Sequence, residues 1–166
     1  MRRALWISGL LTLALFLVLG VIDERIKDTG GPGIVPFEVE FTSENARETL
    51  AEWGSDGRAD AKLSLWIDYA FLVAYAAFFS LAVAAVCDAL GWERWRFLAT
   101  FPLIGAVCDA IENANLLLTI GQDGDQPFPF LAGTFAALKF LTLTPAQIFA
   151  LVGLIVWLSR RARRRS

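Results

Sequence analysis

Three polar residues, Asp109, Glu112 and Asn113, lie inside an apolar stretch that reads CDAIENANLLL. Their spacing of three and four residues puts all three side chains on one side of an α-helix. In a membrane-spanning helix such residues are costly, since a carboxylate at the bilayer centre costs about 2.5–3.5 kcal/mol on insertion scales. The pattern therefore predicts either a structural cluster of ion pairs or a binding site.

Other apolar segments supply partners for these side chains. Asp68 and Tyr75 occupy one segment, and Lys139 occupies another. A single lysine neutralises only one of three carboxylates, and burial together with like charge favours the protonated form of the rest. We therefore predict that Lys139 pairs with Asp109 or Glu112 and that at least one carboxyl holds a proton. The candidate binding site consists of Asp68, Tyr75, Asp109, Glu112, Asn113 and Lys139.

Four apolar segments must position this site, at about residues 4–22, 63–87, 97–120 and 128–158. Each is long enough to cross about 30 Å of hydrocarbon as a helix. Hydrophobic residues make up 56% of the 166-residue chain. We expect one all-α membrane domain over residues 1–166, built as a four-transmembrane-helix bundle. Pro145 lies inside the last segment, where we expect a kinked but continuous helix.

The charges between the segments predict the orientation. The N-terminus, residues 88–96 and the tail after Leu158 hold nine basic and two acidic residues, whereas loop 23–62 holds five basic and ten acidic residues. By the positive-inside rule both termini are cytoplasmic and loop 23–62 is extracytoplasmic. The predicted location is the inner (cytoplasmic) membrane of a bacterial cell.

The long loop has its own predicted structure, a strand-plus-helix cap. The sequence FEVEF (residues 37–41) alternates apolar and acidic residues, the period of a strand with one dry face. A short helix should then begin at Thr42 or Ser43 and end at Gly54. Ala46, Leu50 and Trp53 share its apolar face. This helix either packs over the ends of the bundle or acts as a lid, and packing is the favoured interpretation.

Several classes of function are disfavoured by composition. The chain has no histidine, which removes ordinary haem ligation, histidine zinc sites and Ser-His-Asp catalysis. No phosphate-binding glycine motif is present. We expect no metal and no cofactor. The arginine-rich tail after Leu158 is typical of a topology anchor that contacts anionic membrane lipid, and nucleic acid is not an expected partner.

The arrangement also resembles a family of small bacterial four-helix integral membrane proteins that has no assigned activity. The resemblance covers most of the chain from Phe37 onward. It depends on Gly57 and Arg58 before a helix with Asp68 and Tyr75, on the D-x-x-E-N motif that starts at Asp109, and on the lysine in the fourth helix. It implies a four-helix fold and no mechanism.

Three functions remain open from the residues. The first is binding or transport of a cation, a proton or an amphiphile headgroup at the polar cluster, which we expect in the outer half of the bundle. The second is an enzyme acting on a lipid or isoprenoid, with a carboxylic acid as proton donor and Tyr75 or Lys139 as orienting group. The third is an accessory subunit whose cluster only fixes the helices. We favour the first over the second, and enzyme activity stays open as an alternative.

Overall fold

The computed structural model describes residues 2–163, and these residues form helices and turns without a strand. The elements in chain order are α1 (Arg2–Lys27), α2 (Ile34–Glu38), α3 (Ser43–Leu90), a 3₁₀ helix (Glu93–Thr100), α4 (Phe101–Gly121) and α5 (Phe128–Arg163). The tail residues Arg164 and Arg165, which contributed to the predicted orientation, lie outside the described residues.

Four helices, α1, α3, α4 and α5, are long and apolar enough to cross a membrane. The helices α3, α4 and α5 pack against one another, and α1 packs on α3. Much of their outer surface is apolar and exposed, as in Leu10 of α1 and Leu141 of α5. In a membrane protein this surface faces lipid. The chain is therefore an all-helical, multi-pass membrane protein.

The predicted helix at residues 42–54 is confirmed as the first part of α3. The Thr42 hydroxyl accepts a hydrogen bond from the Asn45 amide at 3.3 Å, which caps the helix. Gly54, with φ 57° and ψ −154°, interrupts the helical backbone there. Helix formation resumes at once, so that α3 continues to Leu90. The spanning helix therefore begins well before the predicted residue 63.

The predicted strand at residues 37–41 is wrong. The chain forms the short helix α2 and then turns, and of the three apolar residues in FEVEF only Phe37 is buried. An isolated strand would leave its backbone groups unpaired, whereas a helical turn satisfies them locally. Pro36 fits this turn because the first amides of a helix need no intrahelical partner.

The cap, defined as residues 28–54, packs over one end of the membrane-spanning helices. Ala46, Leu50 and Trp53 are buried as predicted, each at most 1% exposed. The Trp53 ring lies 4.6 Å from the Phe37 ring, and its Nε1 donates a hydrogen bond to the Pro32 carbonyl at 2.7 Å. This core fixes α2 in position, which is important for the site described next.

The last helix, α5, runs without a break through Pro145, so the predicted continuity is confirmed. Near the other end of the bundle, α5 and α3 approach closely, since a Cβ atom on Gly153 would lie 2.1 Å from Val86 Cγ1. Nearer the cap, Gly105 of α4 lets α5 come close: a Cβ atom there would lie 3.3 Å from Thr142 Oγ1. This close contact between α4 and α5 lies one helical turn from Asp109, and it places Lys139 opposite Asp109.

Candidate functional site

Lys139 lies at the centre of the polar cluster. Its Nζ donates hydrogen bonds to Glu112 Oε1 at 2.9 Å and to Asp109 Oδ1 at 3.2 Å. The Lys139 side chain is only 10% exposed, and those of Asp109 and Glu112 are 4% and 0% exposed. The predicted pairing is confirmed, and Lys139 pairs with both carboxylates rather than one. Its Nζ also lies 5.0 Å from the centre of the Phe140 ring.

Two neutral side chains extend the cluster. Tyr75 donates its hydroxyl hydrogen to Asp109 Oδ2 at 2.8 Å, and Asn113 donates an amide hydrogen to Asp68 Oδ2 at 2.7 Å. The structure therefore brings all six predicted residues into one region. Within the described residues Asp68 makes no ion pair with Lys139, and only Asn113 connects it to the cluster.

A seventh residue, Glu38 of the cap, was not predicted. Its Oε2 accepts a hydrogen bond from Lys139 Nζ at 3.2 Å, and its side chain is 14% exposed. The sequence carries no signal that separates Glu38 from the other acidic residues of loop 23–62. Helix α2 places it: Phe37 is held under Trp53, and the following side chain then points into the bundle.

Burial raises the pKa of the Glu38 carboxyl above its usual range, because water is replaced by protein around the charged form. The Lys139 ammonium opposes this shift, and the charge of Asp109 adds to it. Burial has the largest effect of the three. The cap therefore contributes a carboxyl group that holds its proton more strongly than an exposed glutamate does.

The cluster contains four carboxyl groups, those of Glu38, Asp68, Asp109 and Glu112, and only one ammonium group. The two oxygens of Glu112 differ. Lys139 Nζ lies 2.9 Å from each, so both belong to the ion pair, but only Oε1 accepts a directed hydrogen bond from it. Oε2 is buried, and no other donor among the described residues reaches it.

A hydrogen bond from a neighbouring protonated carboxyl group would supply a donor to this oxygen. Glu38 and Glu112 are neighbours in this sense, since both contact Lys139 Nζ, at 3.2 and 2.9 Å. Two carboxyl groups make such a bond only when one of them is protonated, because two ionised carboxylates offer acceptors alone. The geometry thus favours one proton shared by Glu38 and Glu112, beside the ammonium group of Lys139. Asp109 accepts hydrogen bonds from both Tyr75 and Lys139.

The helices bring these groups together at a depth that backbone geometry sets. Glu112 lies nine residues before the end of α4, and Lys139 lies eleven residues after the start of α5. At 1.5 Å per residue these positions are about 14 and 16 Å from the cap side. The cluster therefore lies about three turns of helix from the cap-side ends of α4 and α5, and Glu38 reaches toward it from the cap.

Neither protein-family models, nor curated proteins, nor solved structures yielded a match to the chain. Membership of the small bacterial four-helix family therefore stays a prediction. Fold and site together define a class of protein: a multi-pass helical membrane protein whose extramembrane cap is bonded to a buried carboxylate–lysine cluster.

Proposed function

We propose that the protein binds and releases a proton at the pair formed by Glu38 and Glu112, and that this proton controls whether the cap is closed on the bundle. One observation carries the proposal: the carboxyl group of a cap residue meets a fully buried carboxyl group and the only lysine of the membrane-spanning core. The cap and the intramembrane cluster therefore share their charges and their hydrogen bonds.

The proposed location is the cytoplasmic membrane, with both termini in the cytoplasm. The basic residues near the N-terminus and in residues 88–96 support this orientation, as does the excess of acidic residues in loop 23–62. In this orientation the cap faces the extracytoplasmic side. Protons then enter and leave the cluster from that side, where α2 covers it.

A proton suits this cluster better than a larger cation or an amphiphile headgroup. The Lys139 ammonium already occupies the central position among three carboxyl groups, where a bound cation would lie. Two hollows of about 880 and 460 Å³ lie elsewhere, one along α5 and one beside Gly54. A proton needs no such space, and the unpaired Glu112 oxygen is a position for it.

Loss of the proton opens the cap in this account. When it passes to water, Glu38 and Glu112 are both ionised at hydrogen-bonding distance and repel each other. Lys139 also serves Asp109, so its single positive charge does not balance all three. Moving α2 outward returns the Glu38 carboxylate to water, where its ionised form is stable. Return of the proton restores the hydrogen bond and closes the cap.

The test is hydrogen exchange of the cap amides as a function of pH, corrected for the intrinsic exchange rate. Because the pKa of Glu38 is raised above its usual value of 4.5, the closed cap binds the proton more tightly than the open one. Closure is therefore strongest at low pH and weakens as pH rises through the raised pKa. We expect corrected exchange in residues 34–53 to quicken as the pH rises above the usual glutamate pKa of 4.5, by at most about tenfold per pH unit for one proton.

Two variants make the test specific. Glu38→Gln keeps an acceptor for Lys139 and a donor for Glu112, so its cap should exchange slowly at every pH. Glu40→Gln is the matched control, since Glu40 is also partly buried in the cap with a pKa raised by burial, but it bonds to Thr49 instead. The proposal fails if wild-type exchange is independent of pH, or if Glu38→Gln responds as the wild type does. Either result would mean that the cluster only holds α2, α3, α4 and α5 together.

A further inference from the structure

A long apolar groove runs along α5 beside the 3₁₀ helix. It has a volume of about 880 Å³, and its lining residues include Trp95, Leu98, Ala137, Leu141, Ile148 and Val152. The α5 residues of the groove span fifteen positions, which is about 22 Å of helix. That length exceeds half of the roughly 30 Å hydrocarbon thickness, so the groove covers one leaflet.

The groove has a cationic end. Arg94, next to Trp95 in the chain, holds its guanidinium 5.3 Å from the centre of the Trp95 ring. Arg94 makes no ion pair within residues 2–163, whereas its neighbour Arg96 is bound to Asp88 at 2.6 Å. An exposed arginine stacked on a tryptophan at the end of a spanning segment lies at headgroup depth. It offers free donors for a phosphate group there.

We propose that this groove is a binding site for one anionic phospholipid of the leaflet at the Arg94 end. An acyl chain lies along α5 between Val152 and Ala137, and the phosphate group of the same molecule accepts hydrogen bonds from Arg94. The charge of Arg94 at the groove end favours an anionic lipid. A zwitterionic lipid or an apolar helix gains less binding free energy from an unpaired guanidinium. The groove adjoins the cluster at Phe140, whose ring lies 5.0 Å from Lys139 Nζ, but none of the groove residues bonds to a carboxyl group of the cluster.

The test is native mass spectrometry of the protein after equilibration with vesicles of equal parts phosphatidylglycerol and phosphatidylcholine. The wild type should retain one phosphatidylglycerol molecule in preference to phosphatidylcholine. Ile148→Trp, and independently Leu141→Trp, fill the groove at exposed positions and should remove the retained lipid. Leu17→Trp on α1 is the control, since Leu17 is 59% exposed, close to the 56% of Ile148, and lies outside the groove.

A second pair of variants tests the headgroup. Arg94→Gln should lower the preference for phosphatidylglycerol about fivefold, the effect of one basic residue near an anionic surface. Arg96→Gln is a matched control, because Arg96 lies only two residues from Arg94 but is already bound to Asp88 at 2.6 Å. Equal retention of the two lipids by the wild type, or retention unchanged by both groove-filling variants, would overturn the proposal. So would a protein dimer that only the groove-filling variants abolish, because the groove would then be an interface between copies.

Discussion

Replacing Lys139 with methionine is expected to destabilise the protein by about 3–5 kcal/mol, the usual effect of removing one partner from a buried ion pair. The variant leaves Glu38, Asp109 and Glu112 without their shared donor. Most single domains are only about 5–15 kcal/mol more stable than their unfolded state, so this loss is a large fraction of the total stability. The measurement is the yield of monodisperse protein in detergent together with its thermal unfolding temperature.

A rescue variant and a control variant test the same prediction. Adding Asp109→Asn and Glu112→Gln to Lys139→Met removes the two most buried carboxylates and should restore much of the lost stability. Lys62→Met, at an exposed position on α3, should change the unfolding temperature little. If Lys139→Met is as stable as the wild type, the ammonium does not hold the cluster together.

The second large effect is expected for Trp53→Ala in the cap. The Trp53 side chain is 1% exposed, stacks on Phe37 and bonds to the Pro32 carbonyl. Replacing a buried tryptophan with alanine costs about 3–5 kcal/mol. Because Phe37 then loses its support, Glu38 should also lose its fixed position beside Lys139. Cap opening is measured by the rate of proteolysis within residues 28–54, and stability by thermal unfolding.

Two further tryptophan variants separate the causes. Trp53→Phe keeps most of the packing and loses the hydrogen bond, so it should cost about 1 kcal/mol. Trp66→Ala alters a side chain that is 65% exposed on the membrane-spanning part of α3 and should leave the cap resistant to protease. A cap that stays closed in Trp53→Ala would show that other contacts hold α2 in place.

The residues that sequence reasoning placed correctly follow simple periodicity. Asp109, Glu112 and Asn113 share a helix face because residues three and four apart are neighbours on a helix. Lys139 was assigned to the cluster by charge balance and by depth. The first depends only on the number of charged residues in the apolar segments, and the second only on the count of residues from the helix ends. The buried face of the cap helix, including Leu50, follows from the same period.

What sequence reasoning missed depends on tertiary contacts. Alternation in FEVEF predicted a strand because local pattern ignores Trp53, which lies far along the chain from Phe37 and fixes α2. Glu38 joined the cluster for the same reason. Gly54 ends the helical backbone of the cap segment as predicted, because its positive φ is easily adopted by glycine. What the local pattern does not give is the helix that resumes directly after it and runs to Leu90.

Infrared spectroscopy tests the shared proton most directly, with glutamate side-chain carboxyls labelled with carbon-13 so that their bands separate from those of aspartate. At about neutral pH, where exposed glutamates are ionised, the wild type should show a carbonyl band of a protonated glutamic acid. Glu112→Gln and Glu38→Gln should each remove this band, and Glu52→Gln, at an exposed position, should keep it. A wild type without the band, or a band that survives both substitutions, would contradict the proton shared by Glu38 and Glu112.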